Sequence, residues 1–259
     1  MERTFSSTWF ISLWMAVMMG LFPHQADAQR RAVRDSALTT PHFHLHGGIG
    51  NAAGDLGLRY GSGGNFGVGM HVKMKSGFYT GVQVDFGFGM RLKEPGVLSN
   101  LLTPAGQIID NEGQVALLTL SGKSALFTAD VGYLFDLPGT NANSGLLVTM
   151  GVGSVHHRIH FENTENPITQ LQEPYLSGYD RFTWGVGVRQ FAGYWHMSDN
   201  GLVNWFAGIQ LWEARTWPQR PMNFDTQQTD SSPRFDAYAG IQAGWILHIY
   251  KRSAIEHWN

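Results

Sequence analysis

From Phe66 to Met90 the side chains change character at every residue. Phe66, Val68, Met70, Val72 and Met74 are apolar, and Gly67, Gly69, His71, Lys73 and Lys75 between them are small or polar. After Ser76-Gly77 the alternation resumes. Phe78, Thr80, Val82, Val84, Phe86, Phe88 and Met90 stand against Tyr79, Gly81, Gln83, Asp85, Gly87, Gly89 and Arg91. A period of two is the signature of a strand, whose successive side chains point to opposite faces. A short glycine-containing break between two such runs predicts a hairpin. Arms of about ten residues exceed the usual five or six of a globular strand. They match the roughly 9–11 residues that a tilted strand needs to cross a bilayer.

The same pattern recurs along the chain. Beyond the hairpin, strands are predicted at Phe43–Gly50, Ala125–Phe135, Leu146–Ile159, Phe182–His196, Leu202–Trp212 and Arg234–Tyr250. Val115–Leu120 either extends the fourth strand or forms a separate piece, and no stretch has helical periodicity. The connections Asn51–Gly64, Arg91–Lys123, His160–Asp180 and Glu213–Pro233 are long, and those at Ser76, Pro138–Ser144 and Ser198–Gly201 are short. Strict long–short alternation with an even strand number is the plan of an outer-membrane barrel. The expected fold is therefore all-β: an eight-stranded antiparallel up-and-down transmembrane β-barrel over residues 42–252.

Alternation alone does not say which face points outward. Three features favour an apolar exterior over a soluble calyx. Glycine crowds the polar face, where it relieves convergence inside a narrow barrel. Aromatics such as Phe78, Phe135, Trp184, Trp205 and Trp245 sit on the apolar face near strand ends, as interfacial girdles do. Loop-length alternation is the third. Composition agrees: charged residues are 15%, glycine is 32 of 259, and the mean hydropathy of −0.17 fits strands that are half polar. A net charge of −2 gives no basic field for nucleic acid. With no cysteine, disulfides, thiol catalysis and cysteine-type zinc sites are excluded.

The apolar run Trp9–Phe22 precedes Ala26-Asp27-Ala28, a small-x-small cleavage pattern. Residues 1–28 read as a cleaved signal peptide, 29–41 as a mobile periplasmic lead-in and 253–259 as a tail.

The polar faces bring Lys73, Lys75, Asp85, Asp130, Arg189, Arg234 and Asp236 into the expected lumen. Charges of both signs enclosed there must pair or stay hydrated, and a structural network is the expectation. His42, His44 and His46 alternate on one face and read as a hydrated rim cluster, since no acidic partner of known metal-site spacing accompanies them; His156-His157 with His160 reads the same way. Gly61–Gly64 lacks the ending of a phosphate loop. Ser154, His156, Ser177 and Asp180 have no spacing that makes a triad. No enzyme, metal or cofactor is expected.

Two outer loops are rich in the side chains that dominate protein contacts. Tyr175, Tyr179 and Arg181 lead into strand six, and Trp212, Arg215, Trp217, Arg220 and Phe224 follow strand seven. They read equally as a self-packed lid and as a partner-binding surface. Tyr179-Asp180-Arg181-Phe182, Arg220-Pro221-Met222-Asn223-Phe224-Asp225 and Gly244-Trp245-Ile246-Leu247 resemble outer-membrane barrels of Bacteroidota, more broadly the PorT-like small barrels. That resemblance implies an association with type IX secretion or gliding and carries over no site residue. The expected function is a non-enzymatic outer-membrane anchor or scaffold whose loops bind a protein partner in the envelope, with a small pore or transport barrel as the alternative and an outer-membrane enzyme behind it.

Overall fold

A computed structural model describes residues 36–163, 166–198 and 203–249. The proposed signal peptide and the tail lie outside the described residues. Eight strands follow in order: β1 (Thr40–Ala53), β2 (Ser62–Lys73), β3 (Phe78–Arg91), β4 (Leu118–Asp136), β5 (Gly145–Asn163), β6 (Thr183–His196), β7 (Trp205–Pro218) and β8 (Arg234–His248). Each pairs antiparallel with its sequence neighbours, and β1 pairs with β8, closing the ring. Closure leaves no unpaired strand edge, which hydrocarbon would not tolerate.

The faces are as the alternation predicts. Phe43, Leu45, Phe66, Val131, Met150, Val152, Ile209 and Ile241 are exposed on the outside, and His46, Asp85, Asp130, Arg189 and Asp236 are buried within. The chain is an eight-stranded antiparallel transmembrane β-barrel. Its apolar belt is set by where outward positions turn charged. On β4 it runs from Ala125 to Phe135 and stops at Lys123; on β7 it runs from Trp205 to Leu211 and stops at Glu213 and Arg215. The β4 stretch matches the roughly 9–11 residues of a bilayer-crossing strand. The 19-residue strands β4 and β5 therefore project beyond the belt and end as a two-stranded ribbon, Leu118–Leu120 paired with Phe161–Asn163.

Several boundaries differ from those read in the sequence. The first connection is not a long loop from 51 to 64: β1 continues to Ala53, β2 starts at Ser62, and between them lies a short helix, α1 (Gly54–Arg59). Glycines at 47, 48, 50, 63 and 64 carry no side-chain signal, so the alternation there was invisible. Strand β7 starts at Trp205 and runs on to Pro218; its end was hidden in the sequence because beyond Leu211 its outward face leaves the belt and turns charged at Glu213 and Arg215. Residues 36–41 are not a free lead-in. Thr40 and Pro41 belong to β1, Asn143 Oδ1 accepts from the Leu38 amide at 2.9 Å, and its Nδ2 donates to the Ser36 carbonyl at 3.0 Å.

Inward-facing glycines make room for the polar interior. A Cβ at Gly151 would fall 1.8 Å from Asp130 Oδ1, and one at Gly69 would fall 2.4 Å from the His44 ring. Small residues at these points let large ones fill a lumen that eight strands make only just wide enough for side chains.

Candidate functional site

The lumen is layered. Near the short turns, Tyr79, Leu134, Leu147, Phe191, Trp195, Phe206 and Ile246 form an apolar cluster. Sequence reading missed it because single apolar residues on a polar face do not change a period-two pattern. Near the long connections a second cluster joins Leu56, Tyr60, Met90, Val97, Leu98, Tyr179, Trp212 and Tyr238. Charged and amide side chains occupy the space between. Two cavities of about 20 Å3 each flank this polar layer, one lined by His44, His71, Asp130 and Trp195, the other by Asn65, Asp85, Gln210 and Trp212. Each has room for about one water.

The polar layer is organised by histidine–carboxylate pairs. His46 Nε2 lies 2.6 Å from Asp85 Oδ1, His71 Nε2 lies 3.2 Å from Asp130 Oδ2, and His157 Nε2 lies 2.9 Å from Asp236 Oδ2. Gln83 Nε2 donates to Asp85 Oδ2 at 2.6 Å, Thr216 Oγ1 donates to Asp236 Oδ2 at 2.5 Å, and Arg189 Nη2 donates to Gln242 Oε1 at 2.7 Å. Asp85, Asp130, Arg189 and Asp236 thus meet partners inside. Lys73 closes the turn end, donating to Asn143 Oδ1 at 2.9 Å and to the Leu38 carbonyl at 3.1 Å. Two expected members are elsewhere. Lys75 is exposed in the β2–β3 turn, two residues beyond the last ladder pair, and Arg234 is half-buried at the start of β8, paired with Asp230. His42, His44 and His46 are not a hydrated rim: all three are buried in the lumen, because β1 starts at Thr40 and places them below its mouth.

The long connections are laced together by charge. Arg59, from the first, donates to Glu94 of the second at 2.5 Å, and Arg181, from the third, donates to Glu94 at 3.0 Å and to Asp225 of the fourth at 2.6 Å. One continuous chain of ion pairs therefore visits every long connection. Arg220 reinforces it, bidentate to Asp180 at 2.8 and 2.5 Å and lying over the Phe182 ring. Hydrogen bonds to Asp180 and Asp225 respectively keep Arg220 and, against its own burial, Arg181 charged beyond the usual guanidinium range. The Asn100 amide donates to Tyr179 Oη at 2.9 Å, and Tyr179 meets Phe224 edge-on.

This geometry divides the residues singled out in the loops. Tyr179, Arg181, Arg220 and Phe224 are engaged inside the cap, and Tyr175 is exposed on it. Trp212, Arg215 and Trp217 are strand residues of β7. Trp212 points inward and stacks on Tyr238, Arg215 faces out beyond the apolar belt, and Trp217 stacks on Trp184 across the β6–β7 pair. Among the described residues no hydrogen bond joins His156 to Ser154, Ser177 or Asp180. His156 stacks on Phe182, and Asp180 is committed to Arg220.

No protein-family model and no curated protein matches the chain. Among solved structures it is similar to Neisserial surface protein A, at 10% identity over 81% of this chain and 97% of that one, with a TM-score of 0.38. It is also similar to the outer membrane protein OprG from Pseudomonas aeruginosa, at 10% identity over 84% and 100% of the two chains, TM-score 0.38. A third is Ail, the attachment invasion locus protein of Yersinia pestis, at 10% identity over 81% and 99%, TM-score 0.33. The fold assignment stands on the strand pairing of this chain itself.

Proposed function

We propose that this protein is a closed outer-membrane barrel that serves as a rigid anchor and presents its loop cap to a protein partner in the envelope. The observation that carries the reading is the Arg59–Glu94–Arg181–Asp225 chain, which fixes all four long connections against one another. A preorganised surface loses less freedom on binding than mobile loops do. Apolar clusters at both ends of the lumen and cavities of single-water size favour an anchor over a pore. An association with secretion machinery rests only on the sequence resemblance.

Two measurements test this reading. In planar bilayers the folded protein shows no stable conductance steps; regular open steps would replace the anchor with the pore. Photo-reactive side chains at Tyr175 and Met222, both exposed on the cap, yield a discrete envelope-protein adduct, and the same probe at lipid-facing Ile209 does not. Identical patterns at all three positions would remove the cap as a contact surface.

A further inference from the structure

His42 and His44 of β1 and His71 of β2 each offer one ring nitrogen, and the three nitrogens lie within 4.8 Å of one another. All three side chains are buried. Their remaining contacts are those of metal-ligating imidazoles. His42 Nδ1 donates to the Thr40 carbonyl at 3.1 Å, which leaves Nε2 as the acceptor nitrogen, 3.3 Å from Tyr79 Oη. His71 holds Asp130 Oδ2 through Nε2 at 3.2 Å, and its Nδ1 has no hydrogen-bond partner among the described residues. Neither nitrogen of His44 has one. Ligating histidines characteristically present the second ring nitrogen to a carboxylate or a backbone carbonyl, which fixes the tautomer and orients the ring. Here one ring has the carboxylate and another the carbonyl.

The surroundings suit a cation. The second Asp130 oxygen, Oδ1, is buried and also without a hydrogen-bond partner among the described residues. Asp130 belongs to the lining of the cavity that His44 and His71 share, where about 20 Å3 leaves room for a water as fourth ligand. Arg189 lines the same cavity; its Nη2 donates to Gln242 and its Nε lies 4.0 Å from Asp85 Oδ2, so the Asp130 carboxylate is what offsets positive charge at the three rings. Gly69 faces the gap, and any larger residue would push against both His44 and His71. Buried polar atoms left unpaired in a folded protein call for an explanation such as an ion or a water.

We propose that His42, His44 and His71 form a binding site for one late first-row divalent ion of the zinc, cobalt or nickel class, with Asp130 and the Thr40 carbonyl orienting the ligands. Imidazole donors suit these metals. Zinc–nitrogen bonds of about 2.0–2.1 Å need the rings to close in by a modest amount, which side-chain rotation provides. The ion would be fixed inside the barrel wall and would tie β1 to β2 at their turn-end half.

The full chain is refolded into detergent with Co2+ or Zn2+ present, desalted, and its metal content measured. Folding is checked by the heat-modifiable gel shift of a barrel. The expected result is one equivalent per chain, with the intense visible bands of four-coordinate Co2+. His44→Ala and His71→Ala lose the equivalent, while His156→Ala, on the outer face, keeps it. Asp130→Asn preserves shape and removes only the carboxylate, so it remains informative where a histidine variant fails to fold; it weakens binding by about 10–100-fold. Folded wild-type protein that retains no stoichiometric metal would overturn the proposal. So would binding of equal strength in His44→Ala and His71→Ala, or in Asp130→Asn.

Discussion

Glu94 is the residue on which the cap depends most, because two arginines from different connections donate to its two oxygens. Glu94→Gln keeps the shape and removes the charge, leaving buried Arg59 without its counter-ion and buried Arg181 with Asp225 alone. Hydrogen bonds to charged groups contribute about 1.5–3 kcal/mol each. The expected outcome is a cap that opens about tenfold more often, read as faster protease cleavage within 92–117 and 219–233, with the barrel's gel shift unchanged. Asp110 gives a pH-dependent counterpart. Burial opposes the charge of its carboxylate, but the amides of Gln114 and Glu112 and the Asn166 side chain hold it below the usual carboxylate range. A depressed folded value means that its contribution is complete above the unfolded value of about 3.9 and is lost as pH falls through the folded one. The contact between the second and third connections therefore persists at pH 5 and loosens in stronger acid. Hydrogen exchange in residues 110–114 checks this, and Asp110→Asn abolishes the acid-dependent step. In the wall, Gly151→Ala forces a methyl into Asp130 Oδ1 and to 3.1 Å from the Ala129 carbonyl. Overpacking of this kind costs about 1–3 kcal/mol, measured as a lower urea midpoint for the folded barrel.

At the scale of the strand, the outward face reports the solvent it meets. Ile209 lies on β7 between Trp205 and Trp217, paired with Ile241 of β8, and is 65% exposed. Ile209→Arg places a charge near the bilayer midplane, where the cost is about 2–4 kcal/mol. Leu117 is almost as exposed but precedes β4 on the far side of Lys123, beyond the belt. Leu117→Arg is expected to change stability by less than about 0.5 kcal/mol, as ordinary surface changes do. Equal costs at the two positions in unfolding from lipid vesicles would contradict the belt drawn here. Strand existence and facing were legible in the sequence because period-two patterning is local. Strand ends were less so. The extensions of β1, β2, β4 and β5 run through glycines or through polar residues outside the belt, where neither face is consistently apolar.

For the whole molecule, the decisive property is that both ends of the lumen are filled. Residues 36–41 and Asn143 close the turn end around Lys73, and the cap closes the other. The seven lumen charges read from the sequence separate once the ring is closed. Asp85, Asp130 and Asp236 take histidine partners, Arg189 takes Gln242, Lys73 guards one mouth, Arg234 sits near the other, and Lys75 lies outside in a turn. The amino-acid order alone determined the number of strands, their antiparallel succession and the outward direction of the oily face, since each follows from neighbours two residues apart or from the lengths between turns. Only the tertiary structure decided that His157 meets Asp236, that His42, His44 and His71 converge, and that Glu94 joins the connections. Those contacts depend on register and closure, which bring together residues that share no local pattern.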